Sequence, residues 1–201
     1  MMRPGHLQDF LDALLAATRA RVISPEAAAS LERIAGALER PAPPAEADGS
    51  RLPVCALLEE MLDPIRFDAP DLRALAASFS RLEPALTWRR RAGSMRNASA
   101  GIDERHANAM IVGPAGHEPR RDVWIGASLL APEVRYPDHD HPPEETYLVL
   151  SDGDFLQGDG PWFTPGIGGT LYNPPGINHA MRTGETPLLA FWMLCAERPE
   201  S

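Results

Sequence analysis

The densest run of chemically useful side chains is YPDHDHPPEETY, residues 136–147, with two histidines, four acids and two tyrosines. On an extended strand, alternate side chains share a face, so His139 and His141 point the same way. Glu145 joins that face if the strand runs on through ETYLVLS. A further imidazole, His179, arrives in GGTLYNPPGINH. Three imidazoles and one carboxylate form a borderline donor set for one divalent transition metal, Zn²⁺, Fe²⁺ or Mn²⁺, with Co²⁺ and Ni²⁺ also compatible. Such a set leaves positions open for water or substrate. The chain's three tyrosines, Tyr136, Tyr147 and Tyr172, all lie in or beside these two segments. Tyr147, two residues after Glu145, falls on the ligand face. A phenol has a reference pKa of about 10, so it serves as a base near neutral pH only beside a cation, which a metal supplies.

The elements that must hold these residues change character along the chain. Residues 1–85 read as a helical region. HLQDFLDALLAATRARV places Leu7, Phe10, Leu11, Leu14 and Leu15 on one stripe. Ser24-Pro25-Glu26 supplies an N-cap, a first-turn proline and an early acid for AAASLERIAGALER. RPAPPAEADGS, residues 40–50, is a proline-rich connector, and helical stretches follow at about 53–62 and 70–82. Residues 86–201 switch to β-prone runs punctuated by Gly and Pro: NAMIVG, DVWIGASLLA, ETYLVLS, GTLYNP and LLAFWMLCA. The expected architecture is α+β, a helical N-terminal layer packed on a C-terminal antiparallel β-barrel with the metal site inside it.

Composition narrows the function classes. Hydrophobic residues make up 44% of the chain, enough for a sizeable core, and the net charge is −9. That charge argues against nucleic acid, which calls for a basic face. All 19 basic residues are arginine, which removes lysine Schiff-base and P-loop chemistry. Cys55 and Cys195 lie far apart in apolar settings and read as buried free thiols. No apolar run approaches membrane-spanning length and the first residues carry no signal-like segment, so a cytoplasmic location without membrane attachment is expected, as a monomer or homodimer. Trp88 and the following RRR read as a solvated connection, His106 and His117 as strand-end or loop residues, and His6 as surface. Asp138, Asp140 and Glu144 alternate with the ligands and should form a hydrated outer face or orient the ligands. Residues 133–159 hold eight acids and one arginine, a field expected to favour cations.

The two segments together resemble the cupin double motif. HxH(x)₃E is matched by His139, His141 and Glu145; G(x)₅PxG(x)₂H is matched by Gly168, Pro174, Gly176 and His179. The wider stretches APEVRYPDHDHPPEETYLVLSDGDF and IVGPAGHEPRRDVWIGASLLAP are similar to the cupin-type dimethylsulfoniopropionate lyases of marine bacteria, nearest their DddQ branch. That resemblance implies cleavage of a small zwitterionic carboxylate, dimethylsulfoniopropionate, into dimethyl sulfide and acrylate. It implies His141, Glu145 and His179 as metal ligands, His139 as a further ligand or near neighbour, Tyr147 as the base and Tyr136 in the pocket. A sulfonium cannot be hydrogen-bonded and wants aromatic faces, for which Trp124, Tyr136, Trp162, Tyr172, Phe191 and Trp192 are available. A non-haem iron dioxygenase, which would consume oxygen, and a non-catalytic small-molecule binder use the same donor set and are the competing expectations.

Overall fold

A computed structural model describes residues 2–22, 24–45 and 48–196; residues 46 and 47 of the proline-rich connector lie outside it. The helical half runs from α1 (Gly5–Arg19) through α2 (Pro25–Leu38), α3 (Leu58–Met61) and α4 (Pro70–Leu82). The five apolar residues predicted for one stripe of α1 are all buried. The α2 start is as its sequence demands: Ser24 Oγ accepts the Ala27 N–H at 3.0 Å and Pro25 occupies the first turn. Residues 53–62 form less regular helix than their pattern suggested, a 3₁₀ turn over Pro53–Leu57 leading into α3.

Eight strands follow among the described residues: β1 (Trp88–Arg89), β2 (His106–Val112), β3 (Val123–Leu130), β4 (Glu145–Val149), β5 (Asp154–Gln157), β6 (Thr170–Asn173), β7 (His179–Arg182) and β8 (Leu188–Cys195). A one-turn helix, α5 (Ile102–Arg105), precedes β2. Among the described residues these strands pair antiparallel, in a six-stranded sheet of order β1-β2-β3-β8-β4-β6 and a two-stranded sheet of β5 and β7. This is the α+β cupin arrangement that the sequence predicts, with one difference: the ladder does not close into a single barrel. Single bridges instead tie the segment that precedes β4 to β7, His139↔His179 and Arg135↔Arg182. Prolines explain the gap, since Pro137, Pro142 and Pro143 cannot donate to a ladder. His139-Asp140-His141 is therefore outside any strand, with a ladder bridge only at His139, and the strand begins at Glu145.

One face of the large sheet packs on the helices and the other lines a cavity. Along β8 the alternation is plain. Phe191 is fully buried against Phe10 and Phe79, with ring centroids 5.2 and 4.8 Å away. Trp192, next in the chain, faces the opposite side and lines the cavity. The helices and the sheet share one apolar cluster that contains Phe10, Phe79, Trp88, Ile125 and Phe191. Cys55 and Cys195 are both buried, as expected.

Candidate active site

Glu145 opens β4 and is 3% exposed. Its Oε2 lies 3.3 Å from His141 Nε2 and 3.2 Å from His179 Nε2. The turn before β7 delivers His179. Ile177 N–H bonds to Pro174 O at 3.2 Å, and Gly176 takes φ +72°, the left-handed third position of a turn that begins Pro-Pro. Gly176 N–H also bonds to His141 O at 3.0 Å, so one turn positions both histidines.

The imidazoles are oriented in one sense. Nδ1 of His139 lies 2.9 Å from Pro137 O, Nδ1 of His141 2.8 Å from Pro143 O, and Nδ1 of His179 3.0 Å from Ile177 O. A carbonyl only accepts, so each Nδ1 carries a proton and each ring turns its Nε2 inward, free to offer a lone pair. The Nε2 atoms of His141 and His179 are buried with no hydrogen-bond partner. A lone pair held about 3 Å from a carboxylate oxygen is repelled unless a cation lies between them. The three donor atoms of His141, Glu145 and His179 lie within 4.8 Å of one another. His139 stands beside this cluster, its ring centroid 4.1 Å from that of His179 and 6.2 Å from that of His141.

The electrostatics fit the same reading. Burial alone would raise the Glu145 carboxyl; with a proton on the facing Nε2 atoms, standing where a cation would, its contacts with His141 and His179 bring it down to about 2. Burial, helped by the neighbouring His179, pushes the His139 imidazole down to about 3, so it is neutral at physiological pH. Asn173, opposite Glu145 on β6, donates its amide to Glu145 Oε2 at 3.0 Å; Gln157 in turn donates to Asn173 Oδ1 at 2.7 Å. Tyr147 is 2% exposed, and burial together with the Glu145 charge raises its pKa well above the ordinary phenol value.

A cavity of about 340 Å³ opens over these groups. Tyr136, His139, His141, Glu145, Tyr147, Trp124 and Trp192 line it, with Asn108, Met110 and Ser128 from the floor of the sheet. Met110, Gly126, Trp192 and Tyr147 form one row across β2, β3, β8 and β4. A Cβ on Gly126 would stand 2.2 Å from the Trp192 ring, so the missing side chain is what lets the indole lie across β3.

Several expected site residues lie elsewhere. Trp162 stacks under the Arg182 and Arg135 guanidinium groups, at 4.3 and 5.3 Å from its ring, away from the cavity. Tyr172 alternates with Asn173 and so turns outward, where its hydroxyl donates to Glu144 at 2.7 Å. Phe191 faces the helical layer. Asp138 and Glu144 do not form a hydrated face either: Asp138 is held by Asn97 at 2.7 Å and Arg135 at 2.6 Å, and Glu144 by Tyr172 and Arg33. Both acids are thus paired with arginines, and Arg89, Arg90 and Arg91 line the cavity. The RRR run is therefore a cavity wall, set there because Arg89 pairs with Asn108 of β2. Trp88 is buried and donates to Glu83 at 2.7 Å. His106 is fully buried between Ile102 O at 2.6 Å and the Arg91 N–H at 2.7 Å. His6 faces His117, Nε2 to Nε2 at 3.3 Å.

Comparison with known proteins agrees with the motifs. Residues 26–190 match the family profile described as dimethylsulfoniopropionate lyase. The chain is 30% identical over 131 residues to a putative dimethylsulfoniopropionate lyase, DddL, of Cereibacter sphaeroides, a match covering 63% of this chain and 54% of that relative. It is 27% identical over 143 residues to the dimethylsulfoniopropionate lyase DddQ of Ruegeria pomeroyi, covering 70% of this chain and 68% of that protein. In fold it is similar to the crystal structure of that DddQ, with a TM-score of 0.71 and 24% identity over 99% of this chain and 95% of the other. A structure from a study of the lyases RdDddP and RnDddQII superposes with a TM-score of 0.73 at 21% identity, over 94% of this chain and 92% of that one. With the profile spanning both motif segments, the chain belongs to the dimethylsulfoniopropionate lyase family.

Proposed function

We propose that the protein is a metal-dependent carbon–sulfur lyase that cleaves dimethylsulfoniopropionate to dimethyl sulfide and acrylate. One observation carries the metal dependence: two buried imidazole nitrogens with no hydrogen-bond partner converge on one carboxylate oxygen at 3.2–3.3 Å. His141, Glu145 and His179 would hold the ion, with His139 beside them. Bound there, a divalent ion would take the substrate carboxylate and, as a Lewis acid, acidify the adjacent Cα–H.

The chain's own residues account for the rest. The aromatic walls, Trp124 and Trp192, suit a sulfonium that can be recognised only by polarisable faces. Tyr147 shares the cavity with Glu145 and is the base: its phenolate takes the Cα proton, the C–H electrons form the Cα=Cβ bond, and the Cβ–S bond breaks to release neutral dimethyl sulfide. Burial and Glu145 hold the resting phenol protonated, and neutralising the Glu145 charge removes the second of these two causes. Because the base form is required, turnover should climb with pH until the Tyr147 phenol is ionised. The test is direct. Protein reconstituted with Zn²⁺, Fe²⁺ or Mn²⁺ and given dimethylsulfoniopropionate should yield acrylate and dimethyl sulfide in equal amounts, with activity lost on chelation. A folded, metal-bound protein that yields neither product overturns the proposal.

A further inference from the structure

Four polar groups along the cavity floor form a chain whose direction can be read. The Trp192 indole N–H can only donate, and it points at Ser128 Oγ, 3.1 Å away. With its lone pair so engaged, Ser128 passes its own proton to Asn108 Oδ1 at 2.8 Å. That bond sets the amide, whose Nδ2 then donates to Tyr136 Oη at 2.7 Å. Arg91 Nη1, again a pure donor, lies 3.4 Å from the same oxygen, with its guanidinium 5.2 Å from the centre of the Tyr136 ring. The Tyr136 oxygen is thus an acceptor on the protein side. Among the described residues no group accepts its proton, and the side chain is 3% exposed on the cavity wall.

We propose that Asn108 and Ser128 are positioning residues: their one-way hydrogen-bond chain from Trp192 commits the Tyr136 hydroxyl to donate into the cavity, to a carboxylate oxygen of the bound molecule. The inference rests on the reading of the site as one for a small carboxylate. Were Asn108 turned over, its Oδ1 would take the Tyr136 proton and the cavity would lose a donor. A donor fixed in place before the reaction costs nothing to orient when charge builds on the carboxylate as the α-proton leaves. An Asn–Ser pair facing a cavity otherwise floored by Met110 and Trp192 would have no such reason to be polar.

The test is a double-mutant cycle on binding of propionate, a plain short carboxylate, to metal-loaded protein by calorimetry. Asn108→Ala should weaken propionate about tenfold, the loss expected for one directed hydrogen bond. Tyr136→Phe should weaken it at least as much, and adding Asn108→Ala to Tyr136→Phe should cost nothing further. Ser128→Ala, which frees the amide without touching Tyr136, should reproduce part of the loss and guards against a fold defect in the Asn108 variant. Equal losses from Asn108→Ala in both backgrounds would make Asn108 a packing residue and overturn the proposal. So would an unchanged affinity in Asn108→Ala, or a wild type that does not bind propionate. Dimethyl sulfide release from dimethylsulfoniopropionate is read separately, on the same protein without propionate. A wild type that binds propionate but releases none sinks the lyase reading while the cycle still judges the relay.

Discussion

Asn173→Ala tests how the buried carboxylate is held. Glu145 is 3% exposed and Asn173 1% exposed, and the amide reaches Glu145 Oε2 at 3.0 Å. A hydrogen bond to a charged group contributes about 1.5–3 kcal/mol. At about 1.4 kcal/mol per factor of ten, its loss corresponds to about a 10- to 100-fold weaker hold on the metal, the range typical when an outer partner of a ligand is removed. Gln157 acts one step further out, anchoring Asn173 Oδ1 at 2.7 Å and the Tyr172 carbonyl at 2.7 Å. Its removal leaves the Asn173–Glu145 bond possible, so Gln157→Ala should weaken the metal by less than Asn173→Ala does. Competition against a chromogenic chelator gives the Zn²⁺ dissociation constants of the three proteins at one pH. A value for Asn173→Ala within about twofold of wild type would refute the reasoning, as would Gln157→Ala proving the more damaging of the two; both outcomes are judged against the tenfold scale.

Other outcomes follow from the same geometry. His179→Ala should lose the metal and turnover together; intact metal stoichiometry in that variant would remove His179 from the site. Gly126→Ala places a methyl 2.2 Å from the Trp192 ring and 2.5 Å from Ala109 O, so it should cost about 1–3 kcal/mol in urea unfolding and raise KM by displacing the indole. Arg3→Ala strips a partner from Glu118, which is 0% exposed and keeps Arg120 at 3.3 Å and the Ala42 N–H at 3.1 Å; a loss of about 3 kcal/mol is expected. His106 has its pKa lowered, by burial first, so the unfolded chain binds the proton more readily. Its stabilising share is therefore present above the unfolded value and fades as pH falls below it. The urea midpoint should drop between pH 7 and pH 5, and less so in His106→Gln.

Much of this site was legible in the sequence because its parts are local. The His-Asp-His-Pro-Pro-Glu-Glu run and the Pro-Pro-Gly turn each fix their residues through short-range geometry. Two such segments in order are what the cluster of His141, Glu145 and His179 needed. The α2 start was legible for the same reason, since Ser24, Pro25 and Ala27 interact within one turn. What escaped depends on register. Asn173 orients Glu145 only because β6 pairs with β4 residue for residue, and Arg89 reaches the cavity only because a two-residue strand pairs with Asn108. Trp162 and Tyr172 were drawn toward the substrate by their residue type, whereas strand alternation and the arginines turned them outward. Asp138 and Glu144 read as solvated acids for want of their partners, Arg135 and Arg33, the second of which is 111 residues away. A buried asparagine in an apolar strand was the one available signal for Asn173, a polar group that folding must satisfy.

The central claim is that Tyr147, at this metal cluster, removes the α-proton. The deciding measurement compares wild type and Tyr147→Phe, brought to equal metal content, for dimethyl sulfide released from dimethylsulfoniopropionate. The phenylalanine keeps the ring packed against Phe155, whose centroid is 5.5 Å away, and removes only the hydroxyl. Loss of turnover by about a hundredfold or more, the scale of a positioned base, with metal still bound, is the expected result. Near-full activity in the variant would contradict the account and move the base to another group in the cavity.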